Sequence, residues 1–132
     1  MDFIEMVYSS ERTNGDILLR GTIDGYKYLI VSYGTHPCAY IAIPENHSRY
    51  KDYHKLESDN TIYPHGGVTY SGNERNGIKG HWIGWDYHHA CDFSGHYLSG
   101  VNYDYFSENK KWTTAEIFDE VQDVIEQLKH LE

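Results

Sequence analysis

The chain has 132 residues, a length that supports one domain over residues 1–132 with a single hydrophobic core. Its 20 acidic and 11 basic residues give a formal net charge of −9 without any Lys/Arg cluster, so we expect neither a nucleic-acid polymer nor an anionic membrane as partner. No apolar run approaches the roughly 20 residues that a transmembrane helix needs.

The first third of the chain is rich in β-branched and aromatic residues, which predicts strands. Two such runs, 17–19 and 26–33, flank the dipeptide Asp24-Gly25. This dipeptide favours the positive φ angles of a tight hairpin turn. A third run, 38–43, ends at a proline and predicts a further strand.

The middle of the chain alternates short structured segments with loops. We predict one or two helical turns within 47–56 and short strands at 68–70 and 82–87. The segment 72–80 is rich in Gly and Asn and predicts a loop, and 93–111 is irregular by composition.

The clearest element is a helix at the C-terminal end. Thr113 and Glu116 form a capping-box pattern at its start. Apolar residues then recur at helical spacing, namely Ile117, Val121, Val124, Ile125 and Leu128. The elements together predict an α+β fold, a mainly antiparallel sheet packed by one long C-terminal helix.

The segment 82–92 holds Asp86, His89 and Asp92 at positions i, i+3 and i+6. On a helical or irregular segment the three side chains could reach one point, as a divalent metal or a carboxylate-held histidine requires. On a continuous strand His89 would face away from both aspartates. Spacing alone favours the simpler interpretation, in which Asp86 caps a turn and His89 is partly buried and hydrogen-bonded.

A second candidate segment is His65-Gly66-Gly67. Two glycines allow a turn with positive φ and let a phosphate or carboxylate approach the backbone amides, although a plain β-turn is the commoner outcome. Arg49 is the arginine best placed to hold an anion, with an exposed surface charge as the alternative. Nearby aromatic residues such as Trp85 suit either the core or a pocket that stacks on a planar ligand.

The two cysteines, Cys38 and Cys91, lie far apart and form no Cys-x-x-Cys pair. This favours a reducing cytoplasmic setting, with both thiols buried and inert. The N-terminal residues also lack the basic and apolar regions of a secretory signal.

Three motifs occur in a specific order: Cys-x-Tyr-[Ile/Val]-x-[Ile/Val]-Pro, His-Gly-Gly-[Leu/Val]-Thr-[Tyr/Phe] and Trp-x-Gly-[Phe/Trp]-Asp-x-x-His-x-x-Asp. They fall here on Cys38, Tyr40, Pro44, His65, Gly66, Gly67, Thr69, Trp82, Gly84, Asp86, His89 and Asp92. With the C-terminal helix, this order resembles a widespread family of small phage and prophage proteins. His88 and Cys91 depart from the family pattern, which has small residues there.

Members of this family are mostly uncharacterised, so the resemblance implies a setting similar to that of phage anti-defence sponges. Such proteins withhold nucleotide-derived immune signals from host effectors in the host cytoplasm. We therefore expect a homo-oligomer that binds a small nucleotide-type ligand without a cofactor. The expected ligand-binding residues are His65, Gly66, Gly67, Thr69, Arg49, Trp85, Asp86, His89 and Asp92.

Two other functions are consistent with the same residues. The first is a small metal-dependent hydrolase, such as a phosphodiesterase, whose divalent metal would activate a water molecule. Its ligands or acid–base groups would be His65, Asp86, His89 and Asp92. The second is a structural or protein-binding module in which these polar residues form a buried hydrogen-bond network.

Overall fold

The fold was obtained as a computed structural model that describes residues 2–100 and 103–132. Its strands are β1 (Asp16–Ile23), β2 (Tyr26–Ser32), β3 (Pro37–Ile43), β4 (Tyr70–Arg75) and β5 (Ile78–Asp86). Its helices are α1 (Tyr103–Phe106) and α2 (Thr114–Lys129), with 3-10 helices at Tyr53–Glu57 and Gly95–Ser99. The strands form one antiparallel sheet in the order β1-β2-β3-β5-β4. The predicted α+β fold is confirmed.

Two hairpins of the sheet use the same turn chemistry. Asp24 and Gly25, with φ angles of 50° and 87°, join β1 to β2 as predicted. Asn76 and Gly77, with φ angles of 51° and 81°, join β4 to β5 in the same way. The predicted loop at 72–80 is therefore wrong, because these residues form a hairpin.

The glycines that suggested a loop at 72–80 instead make room for rings within the sheet. A Cβ on Gly72 would collide with the side chain of Tyr70, and a Cβ on Gly80 would press against the indole of Trp82. A glycine in a strand often marks such a close approach. The segment 93–111, predicted to be irregular, holds two short helices, and its residues 101 and 102 lie outside the described part of the chain.

The helix α2 packs on one face of the sheet. It begins with the predicted capping box, in which the Thr113 side chain accepts from the Glu116 amide and the Glu116 carboxylate accepts from the Thr113 amide. All five apolar residues predicted to face the core are buried: Ile117, Val121, Val124, Ile125 and Leu128. No helix among the described residues is both long and apolar enough to cross a membrane.

The opposite face of the sheet carries a second, smaller apolar cluster. Its members are Leu29, Val31, Tyr33, Cys38, Tyr40, Ala42 and Trp82. A Cβ on Gly15, directly before β1, would touch Tyr33, Val31 and the side chain of Asn76 in the β4–β5 turn. Because β1 and β4 are the two edges of the sheet, this proximity shows that the sheet coils until its edges approach each other over this face.

Candidate functional site

A pocket of about 450 Å³ opens on the coiled face, at the end of the sheet where β3 begins and β5 ends. The pairing of Cys38 with Asp86, and of both Tyr40 and Tyr70 with Gly84, brings three strands together there. A volume of this size suits a small-molecule ligand. The lining residues are Arg12, Tyr33, His36, Cys38, Tyr40, Thr69, Tyr70, Arg75, Trp85, Asp86, His88 and His89.

The guanidinium of Arg75 packs among three tyrosine rings of this pocket. Its central carbon lies 4.5 Å from the ring centre of Tyr40, 5.0 Å from that of Tyr70 and 5.7 Å from that of Tyr33. The Nε of Arg75 is buried without a hydrogen-bond partner, and burial lowers the pKa of the group. The ring faces hold the cation while part of its donor edge stays unsatisfied, an arrangement suited to an incoming anion.

A second arginine lines the same pocket. The guanidinium carbon of Arg12 lies 5.2 Å from the ring centre of Tyr33, which is also a neighbour of Arg75. Among the described residues, neither arginine takes part in an ion pair. Of the described residues that line the pocket, Asp86 is the one that carries a carboxylate. The pocket therefore concentrates positive charge within an acidic chain.

The tyrosines around Arg75 hold one another in place. The hydroxyl groups of Tyr33 and Tyr40 are 3.0 Å apart, and the rings of Tyr40 and Tyr70 pack edge to face at 5.4 Å. A Cβ on Gly84 would collide with the Tyr40 ring, so a glycine is needed for that ring to lie across β5. These contacts fix the walls of the pocket before any ligand arrives.

The two cysteines have different environments. Cys38 is buried in the pocket wall as predicted, and burial with the nearby carboxylate of Asp86 raises the pKa of its thiol to about 12. A thiol that stays protonated is a poor nucleophile. Cys91 is exposed, so the prediction that it is buried is wrong.

Imidazole rings form another wall. His36 and His88 stack with ring centres 4.2 Å apart and ring planes inclined by only 6°. The Nδ1 of His36 lies 3.0 Å from the hydroxyl of Thr35. Burial, the His88 imidazole and the Arg12 guanidinium lower the pKa of His36 to about 4. Burial and the neighbouring imidazole of His96 also lower the pKa of His88.

Asp86 and His89 lie together at the rim. The Asp86 carboxylate accepts hydrogen bonds from the backbone amide of His88 at 3.1 Å and from the hydroxyl of Thr69 at 3.2 Å. Asp86 therefore caps the turn that follows β5, as the simpler interpretation predicts. The Nε2 of His89 lies 3.1 Å from an Asp86 oxygen but is not aligned for a hydrogen bond, and it is buried without another partner.

His65 and Asp92 form a separate pair outside the pocket lining. The Nε2 of His65 lies 2.8 and 2.9 Å from the two carboxylate oxygens of Asp92. The same carboxylate accepts from the indole N–H of Trp112 at 2.8 Å and from the His89 amide at 3.0 Å. The His65 ring stacks on Tyr87 with centres 4.9 Å apart. Asp92 thus joins three separate segments of the chain.

The four residues of the metal hypothesis form two pairs around two different carboxylates. The rings of His65 and His89 are 5.5 Å apart, and each Nε2 faces an aspartate rather than a shared point. Among the described residues, no group of three or more His, Cys, Asp or Glu side chains could hold a metal ion. Because metal ligands must converge on an ion at about 2.0–2.6 Å, these residues do not fit that site as arranged.

The residues predicted to bind phosphate, Arg49, Gly66 and Gly67, lie outside the pocket lining. Arg49 pairs with Asp52 at 3.3 Å and with Asp59 at 2.5 Å. Gly66 and Gly67 form the predicted turn with φ angles of 72° and 84°. The amide of Gly67 is used within that turn, since it donates to the carbonyl of Pro64 at 2.7 Å. Neither Arg49 nor this turn lines the pocket.

Four of the nine predicted ligand-binding residues line the pocket, namely Thr69, Trp85, Asp86 and His89. Trp85 lies behind the pocket wall and is not exposed in the pocket, because its ring is fully buried. Its indole N–H donates to the hydroxyl of Tyr87. The structure adds two arginines that the sequence motifs did not indicate. The predicted loop at 72–80 includes Arg75, although the dipeptide Asn76-Gly77 beside it is a signal for a hairpin.

Comparison of the chain with protein-family models, curated proteins and solved structures gave no match. The resemblance to small phage proteins therefore stays a prediction from the three motifs.

Proposed function

We propose that this protein binds a small phosphate-bearing ligand of the nucleotide class in the Arg75 pocket and sequesters it. The observation that carries the proposal is the position of Arg75, a cation enclosed by three tyrosines that has no carboxylate partner among the described residues. A half-buried cation without a counter-charge is partly desolvated, which is costly, so a bound anion would stabilise the folded protein.

The rest of the pocket suits the other parts of a nucleotide. Tyr70 is half-buried and offers aromatic surface beside Arg75, and such surface stacks on planar bases. Asp86 is an acceptor at the rim for ligand donors such as ribose hydroxyl groups. The net charge of −9 does not oppose such a ligand, because Arg12 and Arg75 supply local positive charge.

Sequestration is favoured over hydrolysis by the chemistry of the pocket residues. The thiol of Cys38 stays protonated, and the Nε2 of His89 is buried against Asp86. The best-oriented histidine–carboxylate pair, His65 with Asp92, lies outside the pocket lining. A cytoplasmic phage sponge acting as a homo-oligomer is the setting that the motif resemblance suggests for this activity.

Calorimetric titration of the purified protein with AMP, the dinucleotide UpU, pyrophosphate and uncharged adenosine tests the proposal. We expect the anions to bind and adenosine to bind far more weakly. Arg75→Gln should weaken anion binding at least tenfold, because a charge-assisted hydrogen bond is worth about 1.5–3 kcal/mol. The matched control is Arg20→Gln, which changes an exposed arginine outside the pocket.

Three results would overturn the proposal. One is the absence of binding by all three anions, and another is equal loss of affinity in the Arg75 and Arg20 variants. The third concerns the fate of the ligand. Bound nucleotide should be released intact when the complex is denatured by heat, whereas recovery of cleaved nucleotide would favour the hydrolase alternative.

A further inference from the structure

We propose that the His36–His88 pair is an inducible third cation of the Arg75 pocket, so that the anion binds together with a proton. The inference rests on the proposed function, since it concerns the same pocket and the same anion. It adds two binding residues that the motifs did not indicate, one of which departs from the family pattern.

The geometry of the pair limits it to one charge. With ring centres 4.2 Å apart and planes nearly parallel, two protonated imidazoles would repel each other strongly. A single imidazolium stacked on a neutral imidazole has no such cost and gains from the face of the second ring. The pair can therefore take up one proton, shared between two residues that line the pocket.

The charged and titratable groups around the pair oppose protonation in the empty pocket. Arg12 and His96 face it from the segments before β1 and after β5, and His89 lies beside His88. Asp86 is the carboxylate that favours protonation, and it is already bonded to Thr69 and the His88 amide. Tyr33 and Cys38 also line the pocket but stay neutral in this pH range.

The hydroxyl of Thr35 accommodates both protonation states of His36. It lies 3.0 Å from Nδ1 and can either donate to an unprotonated nitrogen or accept from an N–H. The Nδ1 of His36 therefore has a hydrogen-bond partner both before and after proton uptake. This partner matters because the His36 ring is buried, and a buried N–H or unprotonated ring nitrogen without a partner would be costly.

A bound anion changes the electrostatic effect of the pocket on the His36–His88 pair. Its negative charge would offset Arg12 and Arg75, so that protonation of the imidazole pair becomes favourable. By thermodynamic reciprocity, an anion that promotes protonation must bind more tightly when the proton is available. If about half a proton is taken up on average over this range, we expect affinity to rise about tenfold from pH 8 to pH 6.

The test uses sulfate and UpU as probes, because neither changes its charge between pH 6 and pH 8. Titrations at pH 6, 7 and 8, each in two buffers of different ionisation enthalpy, give the affinity and the number of protons taken up. We expect wild-type protein to bind both probes more tightly at pH 6 and to take up a substantial fraction of one proton. His36→Asn and His88→Asn should reduce the proton uptake and flatten the pH dependence.

His54→Asn is the matched control, since His54 is exposed and lies outside the pocket. It should leave proton uptake unchanged. If His36→Asn does not fold, the exposed His88 still carries the test, because it forms the other half of the stack. Wild-type binding with the same affinity at pH 6 and pH 8 would overturn this inference and leave the proposed function standing. Failure of every anion to bind at every pH would overturn the proposed function itself.

Discussion

The Nε2 of His65 lies 2.8 Å from a carboxylate oxygen of Asp92, 27 residues further along the chain. Asp92 is only 3% exposed, and its carboxylate also accepts from Trp112 and from the His89 amide. It therefore joins the segments before β4, after β5 and before α2. Within the Asp-x-x-His-x-x-Asp motif, Asp92 thus has a structural role, whereas Asp86 and His89 line the pocket.

Replacing Asp92 by Asn should destabilise the fold and spare the pocket. An asparagine keeps the shape but turns a donor toward neighbours that are themselves donors, which we expect to cost about 2–4 kcal/mol of unfolding free energy. Urea denaturation measures this loss, and titration with AMP should give nearly wild-type affinity in the folded variant. Asp119→Asn, at an exposed position of α2, is the control. A stable Asp92 variant that no longer binds AMP would contradict this assignment.

The turn at Gly66 should tolerate alanine less well than the turn at Gly77. Both glycines have positive φ, 72° and 81°, so alanine strains the backbone at either position by about 1 kcal/mol or more. Only at Gly66 would the new Cβ also collide with the His89 ring, since nothing lies within 4 Å of it at Gly77. We expect Gly66→Ala to lose about 1–2 kcal/mol more than Gly77→Ala in urea denaturation. Equal losses would show that the contact with His89 is unimportant.

His36 should make the unliganded protein sensitive to acid. Its pKa is about 4 in the folded chain and about 6.5 in the unfolded chain. Because the folded pKa is depressed, the stabilisation is complete above pH 6.5 and is lost as the pH falls toward 4. This residue should therefore remove about 2 kcal/mol of unfolding free energy between pH 7 and pH 5.

The comparison of wild-type protein with His36→Asn isolates this effect. The unfolding free energy of the variant is expected to differ from that of the wild-type protein at pH 7, but it should fall less on acidification. His54→Asn again serves as the control, because His54 is exposed. Parallel pH curves for the wild-type and His36 proteins would contradict the expected depression of the His36 pKa.

Removal of the Asp86 charge should strengthen binding of a simple anion. Asp86 is the carboxylate among the pocket-lining residues, so it repels an anion held by Arg12 and Arg75. In Asp86→Asn we expect the affinity for sulfate to rise several-fold, because the asparagine oxygen can still accept from the His88 amide. Calorimetric titration checks this, with Asp119→Asn as a charge-matched control outside the pocket. Weaker sulfate binding would show that Asp86 contributes to the site through its hydrogen bonds instead.

Local patterns in the sequence predicted the elements whose signals are themselves local. The capping box and apolar spacing of α2, the Asp24-Gly25 hairpin and the strand at β3 all match the structure. The glycines of 72–80 predict a loop because glycine is common in loops, yet these residues form a hairpin. Gly72 and Gly80 instead leave room for the rings of Tyr70 and Trp82, which lie two residues away on the same strand, and this close approach arises only in the extended conformation of a strand.

For the candidate site, the motifs indicated the right region but not the right cations. Thr69 lies directly before β4, and Asp86 and His89 lie at and after the end of β5. Antiparallel pairing brings these two strand ends together at the pocket. Arg49 looked equally well placed in sequence, yet its guanidinium is neutralised by Asp52 and Asp59. Whether an arginine is free or paired depends on which carboxylates the fold brings near it, and spacing carries no information on that.

The amino-acid sequence by itself therefore determined the acidic charge, which composition fixes. It also determined the α+β pattern, the C-terminal helix and the residues able to form turns, because these depend on neighbours within a few positions. The tertiary structure alone decided that Arg75 is enclosed by Tyr33, Tyr40 and Tyr70, and that His36 stacks on His88. The contact of Arg75 with Tyr33 arises from the coiling of the sheet, whereas His36 and His88 meet because β3 pairs with β5. The charge of a site and the pKa of its groups depend on distances in space, so they appear only once the chain has folded.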